Sequence, residues 1–277
     1  MARCASETCT RWRPGVLTGV SGITVDDQWF CSDRCVETRV RQLLADQPAP
    51  VAPVVSSAPR LRLGALLRHQ GALSADQLHE ALEQQRVSGL RLGAQARAMF
   101  GIDGALVLRA LAAQAGTRYL TAIDPATVHD APGGLSRGTI EALGLVPFSA
   151  PDRSGVVRVA STAPLRWDAV NALRRLVGWV PEPYLVEDDT WRDLLEHYGA
   201  GVAATRRVPQ VRIVADEHEA VACITRLVSA SRRTRLAEAR WDPYTWVRVE
   251  GDTSTDDVLL PRTVSEDVSW QAASTSL

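Results

Sequence analysis

Arg62-Leu63-Gly64 recurs as Arg91-Leu92-Gly93, 29 residues later, and each triplet is followed 21 positions on by a glutamine, Gln85 and Gln114. The glutamines close matching segments, Ala-Leu-Glu-Gln-Gln85 and Ala-Leu-Ala-Ala-Gln114. Gly71, Leu78 and Leu82 complete the first copy, and residues 86–90 separate the two. A duplicated unit of this length limits the fold strongly, because each copy must be one supersecondary element packed on its twin. Each reads as a short helix, a glycine turn and a second helix ending near the glutamine. Ser74 is a good N-cap for the second helix of copy one, and Leu78, Ala81, Leu82 and Gln85 recur at the spacing of one helical face. The second copy departs at the turn. Phe100 stands where glycine is expected, Gly101 comes one place late, and Val107 replaces leucine, while Leu111 is kept. A loop built on Phe100 must be displaced or use Gly101, since phenylalanine adopts a left-handed conformation only with strain.

Alternating helix-period and strand-period runs continue to residue 199. Together with the tandem motif, Ala115–Leu120, Gly144–Phe148, Val156–Ala160, Leu173–Gly178, Val180–Val186 and Trp191–Gly199, over about 140 residues, resemble the MshEN domain found at the N-terminus of type II secretion and type IV pilus ATPases. The resemblance implies strands at 115–120, 144–148, 156–160 and 180–186, and helices at 173–178 and 191–199. In that family two copies of the motif bind one molecule of cyclic di-GMP. The resemblance implies ligand contacts at Arg62, Leu63, Gly64, Gly71, Leu78, Leu82 and Gln85, and at Arg91, Leu92, Gly93, Leu111 and Gln114. Arginine can stack on guanine or donate to phosphate, glycine allows close backbone approach, and the leucines can wall the bases. Arg91, beside the imperfect turn, is then expected to matter less than Arg62. The same residues can equally open two helix hairpins, with the leucines as core and the glutamines solvated.

Cys4, Cys9, Cys31 and Cys35 form two close pairs across a 21-residue gap. With no export signal in view, a disulfide framework is disfavoured, and paired cysteines at this separation suit a tetrahedral zinc thiolate site. Ser32 and Asp33 can cap a helix running toward Leu44, bringing Cys31 to its start and Cys35 one turn along. The Phe30-Cys31-Ser32 run with Cys35 resembles treble-clef zinc fingers. Residues 1–45 carry six arginines against five acidic side chains, so no basic face marks a nucleic-acid surface. Cys223, within a helical run, reads as core.

The expected organisation is α+β. A finger-like module (1–46) and a Pro-rich linker (47–59) precede an MshEN-like domain (60–199), with helical tandem motifs at 60–115 and an α/β sandwich-like part at 116–199. A joint at 199–209, a small β-α-β-β unit (210–260) and a disordered tail (261–277) follow. Gln210–Ala215 alternates as a strand, Asp216-Glu-His-Glu219 is a helix start, and Asp242-Pro243 is a hairpin turn between strands.

All 31 basic residues are arginine. A Walker A loop and a Schiff-base enzyme both need lysine, and the common catalytic motifs are missing, so no enzyme is expected. A formal charge of −1 and the absence of a long apolar run point to a cytoplasmic protein without membrane or general nucleic-acid affinity. The leading expectation is a non-catalytic cyclic di-GMP receptor or adaptor that contacts an unidentified protein, in secretion, pilus or motility machinery. The alternatives are a ligand-free adaptor and, less favoured, a zinc-finger nucleic-acid binder using Arg226, Arg232, Arg233, Arg235 and Arg240 beside Trp241, Tyr244 and Trp246.

Overall fold

A computed structural model describes residues 2–13, 22–45, 62–128, 134–198 and 209–262. The expected linker at 47–59, nearly all of the joint at 199–209, and residues 263–277 of the expected tail lie outside the described residues. The chain forms two units, residues 1–50 with 211–277, and residues 51–210.

In the first unit, β1 (Ala2–Arg3) and β2 (Trp12–Arg13) form a small antiparallel ladder. A tight hairpin follows, β3 (Ile23–Val25) and β4 (Gln28–Phe30), turned by Asp26 and Asp27 at φ 48° and 62°. Two consecutive positive-φ residues suit the right-handed twist of the strands, and aspartate tolerates that conformation better than most side chains. Helix α1 (Asp33–Ala45) buries Val36, Val40 and Leu43, a single apolar stripe. From the other end of the chain come β9 (Gln210–Ile213), α9 (Glu217–Ser229), β10 (Arg233–Trp241), β11 (Tyr244–Gly251) and β12 (Thr255–Pro261). Asp216 caps α9 by accepting from the Glu219 N–H at 2.8 Å, while Glu219 Oε2 accepts from the Ala215 N–H at 2.7 Å.

Two differences from the sequence reading stand out. The C-terminal segment has a further antiparallel strand, β12, which carries the fold through Pro261, where the tail was expected to begin. Residues 2–45 and 209–262, read as separate modules, share one six-stranded sheet of order β4-β3-β10-β11-β12-β9. The joint is the parallel pairing of β3 with β10. One core also runs through both segments, with Val25, Phe30, Val36 and Val40 packed among Ile224, Val228, Leu236, Val247 and Val249. Neither segment has enough apolar surface to close a core alone, and joining them supplies it.

The opposite side of β11 carries a buried charge pair. Arg248 and Asp257 face each other across β11 and β12, with side chains 2% and 0% exposed. Arg248 donates from Nε to Oδ1 at 2.9 Å and from Nη2 to Oδ2 at 3.1 Å, and Trp246 Nε1 donates to the same Oδ1 at 2.8 Å.

The second unit opens with α2 (Leu63–His69), α3 (Ala75–Ser88), α4 (Leu92–Phe100) and α5 (Gly104–Ala115). The helices pack across the repeat as well as within it, α2 against α5 and α3 against α4. Leu66, Leu67, Leu73, Ala96, Val107 and Ala110 form their shared core. The remainder is a four-stranded sheet of order β5-β8-β7-β6, made of β5 (Arg118–Tyr119), β6 (Leu145–Pro147), β7 (Val156–Ser161) and β8 (Val180–Leu185). Helices α6 (Arg137–Leu143), α7 (Trp167–Val177) and α8 (Asp188–His197) accompany it. Helix α7 connects the parallel strands β7 and β8, as a parallel pair requires. Among the described residues, no helix is long and apolar enough to cross a membrane.

Candidate functional site

The four N-terminal cysteines converge. Cys4 follows β1, Cys9 closes a turn with its N–H donating to Ser6 O at 3.0 Å, Cys31 directly follows β4, and Cys35 lies in the first turn of α1. The N–H groups of Cys35 and Val36 donate to Ser32 O at 3.0 and 3.2 Å, so Ser32 starts the helix as expected. Their four sulfur atoms all lie within 4.8 Å of one another, and Cys31 Sγ is 3.6 Å from both Cys9 Sγ and Cys35 Sγ. A tetrahedral thiolate site with metal–sulfur bonds of about 2.3 Å has sulfur–sulfur edges of about 3.8 Å. The cluster therefore fits a metal ion. The Cys31 N–H points at Cys4 Sγ, 3.4 Å away, an amide–sulfur contact that favours a thiolate. A backbone N–H at Arg11 draws the Cys9 thiol down to about 7, whereas burial and then the thiols of Cys9 and Cys35 push Cys31 up to about 12. Packed thiols resist simultaneous ionisation, and a divalent cation at their centre removes that resistance.

The tandem motif adopts the same local geometry twice. Arg62 and Arg91 are the N-caps of α2 and α4, at φ −69°, ψ 141° and φ −65°, ψ 143°, and neither side chain caps its helix. Both are exposed. Gly64 and Gly93 are buried two residues further in. A Cβ on Gly64 would stand 2.7 Å from Leu78 Cδ1, and one on Gly93 would stand 2.7 Å from Val107 Cγ1 and 3.8 Å from Leu63 Cδ2. Each glycine is thus where the second helix of its own copy crosses the first, and Leu63 carries copy one onto copy two. Gly93→Ala is expected to cost about 1–3 kcal/mol of stability. Gly64→Ala should cost less, because the end of Leu78 can swing aside while the β-branched Val107 cannot. Urea midpoints would rank the two, and equal losses would contradict this account.

The turns differ, as the motif suggested. Gly71 has φ 71° in copy one, whereas Phe100 stays helical in copy two and Gly101 takes φ 62°. Helix α4 is longer than α2 by the two residues that its turn gives up, and the next helix starts in phase. Ser74 and Asp103, each twelve residues past its arginine, cap α3 and α5. Ser74 does so in a reciprocal capping box with Gln77. Of the other motif residues, Leu63, Leu78 and Leu111 are half-buried against the shared helical core, and Leu92, Gln85 and Gln114 are also half-buried. Leu82 is 40% exposed on α3, an apolar side chain with no core to enter.

Glu187, at the start of α8, was not visible from the motif. Its Oε1 lies 2.3 Å from where a Gly104 Cβ would be, and its Oε2 is 3.7 Å from Arg97 Nη2. It ties the second copy to the α/β part of the same unit, and Gly104 at the head of α5 is the one local sign of that close approach. The aromatic residues of the nucleic-acid reading fare poorly. Trp241 and Trp246 are 5% and 0% exposed, so neither offers a face for a base.

Comparison with known protein families finds no match, and no curated protein matches either. Among solved structures, MshE with cdg is similar at 26% identity over 50% of this chain and 99% of its own, with a TM-score of 0.42. The N-terminal domain of XpsE is similar at 20% identity over 50% of this chain and 93% of its own, with a TM-score of 0.35. A second crystal form of that domain gives 20% identity, 48% and 90% coverage, and a TM-score of 0.28.

Proposed function

We propose that this protein is a non-catalytic cyclic di-GMP receptor acting as an adaptor in the cytoplasm, with a structural zinc ion on Cys4, Cys9, Cys31 and Cys35. The observation that carries the ligand reading is the repeated geometry of Arg62 and Arg91. Two exposed guanidinium groups leave equivalent backbone positions in two motif copies that touch at Leu63 and Gly93. A dinucleotide with two identical halves can use such a pair, one arginine for each guanine or phosphate. Half-buried Leu63 and Leu78 supply apolar surface at the motif glycines. The partner is a protein of the secretion, pilus or motility machinery to which the resemblance points.

Calorimetric titration of the full chain with cyclic di-GMP tests the reading, with GMP as control. Saturable heat at one ligand per chain supports it, and no heat and no thermal shift at saturating ligand overturns it. One observation favours a second reading, a ligand-free adaptor. Leu78 and Val107 fill the space over Gly64 and Gly93, so helix packing alone accounts for both glycines. The titration separates the two.

A further inference from the structure

The cysteine cluster belongs to the same folded unit as the C-terminal sheet, and the contacts joining them are specific. Thr24 and Val25 of β3 pair with Arg233 and Thr234 of β10. The Asp26 N–H donates to Thr234 O at 2.9 Å, and Asp26 Oδ1 accepts from the Leu236 N–H at 2.9 Å. On the helical side, Ser229 Oγ donates to Asp33 Oδ1 at 2.8 Å where α1 packs against α9. Cys31 and Cys35 flank the corner between the strand β4 and the helix α1. An ion held by both sets the angle at which the hairpin reaches β10 while the helix reaches α9. Cys4, itself 4% exposed, brings the first ladder to the same point.

A segment this short has too little core to hold a fold without a staple. Its folded form in turn covers Ile224, Val228 and Leu236 and occupies the edge of β10. We propose that metal occupancy at the four cysteines controls the C-terminal sheet as well as the finger. When the ion leaves, the β3–β4 hairpin and α1 detach, which opens the β10 edge and uncovers the apolar face beneath them. The inference rests on the metal reading above.

Hydrogen exchange on the full chain, before and after treatment with a chelator, tests it, with metal content measured by elemental analysis in parallel. Amides of Thr234–Leu236 and of α9 should exchange about tenfold faster or more after chelation, while those of α2–α5 and β7 keep their rates. Re-adding Zn2+ should restore protection. Acceleration confined to residues 2–45 in a protein that does bind metal would overturn the inference and leave the metal reading standing. A chain that neither carries zinc nor responds to it would overturn both. Asp26→Gly provides a second arm, keeping the turn conformation and all four cysteines. It should retain its metal and yet accelerate exchange at Leu236, and unchanged exchange there would show that this latch holds nothing.

Discussion

Asp257→Ala is expected to remove about 3–5 kcal/mol from the stability of the first unit, the largest loss of any single substitution considered. The physical reason is asymmetry. Arg248, 2% exposed, would keep its charge and lose the carboxylate that meets it with two hydrogen bonds, and Trp246 Nε1 would lose its acceptor as well. Native domains are stable by only about 5–15 kcal/mol, so the variant should melt far earlier or fail to accumulate. The double variant Arg248→Met with Asp257→Leu is the informative partner. It removes both charges together and should recover most of the loss, since a buried pair contributes little beyond a well-packed apolar pair. Denaturation followed by tryptophan fluorescence reads both. A loss below about 1 kcal/mol for Asp257→Ala would mean that the pair behaves like a solvent-exposed one, against the burial described above.

Arg62→Ala should weaken cyclic di-GMP binding about ten- to a hundredfold, corresponding to the roughly 1.5–3 kcal/mol carried by a charged hydrogen-bonding group. Arg91→Ala should weaken it by a similar factor. The sequence suggested otherwise, because Phe100 disturbs the turn of the second copy. The structure confines that disturbance to the turn: α4 starts with the same backbone angles as α2, Gly101 takes the left-handed position, and Asp103 caps α5 in phase. Calorimetry on the two variants decides between the views. A large loss for Arg62→Ala beside a small one for Arg91→Ala would restore the asymmetric site. Unchanged binding in both would remove the arginines from the site altogether.

Local order was legible in the sequence. The caps at Ser74 and Asp216, the helix beginning after Cys31-Ser32 and the hairpin at Asp242-Pro243 all depend on residues within a few positions of one another, and the tandem motif shows itself by repeating. Their physics, hydrogen bonds to nearby N–H groups and apolar side chains at helical spacing, is written in the spacing itself. The four cysteines were found the same way, because thiolate ligands come in close pairs whatever the fold around them.

Three features were decided by the tertiary structure alone. The pairing of Thr24 with Arg233 spans most of the chain, and no local pattern in either three-residue β3 or β10 names its partner. Arg248 and Asp257 lie in strands where a charged side chain ordinarily marks the solvent face; the opposed register brings them together as a buried ion pair. Glu187 meets Gly104 because α8 is delivered there by the sheet, the two being 83 positions apart in sequence. By itself, then, the sequence determined where the helices of the tandem motif fall, where glycine interrupts them and which four cysteines come in close pairs. Long-range strand pairing and burial decided that the two ends of the chain make one domain, because a sheet edge and an incomplete core find their complement in space rather than in spacing.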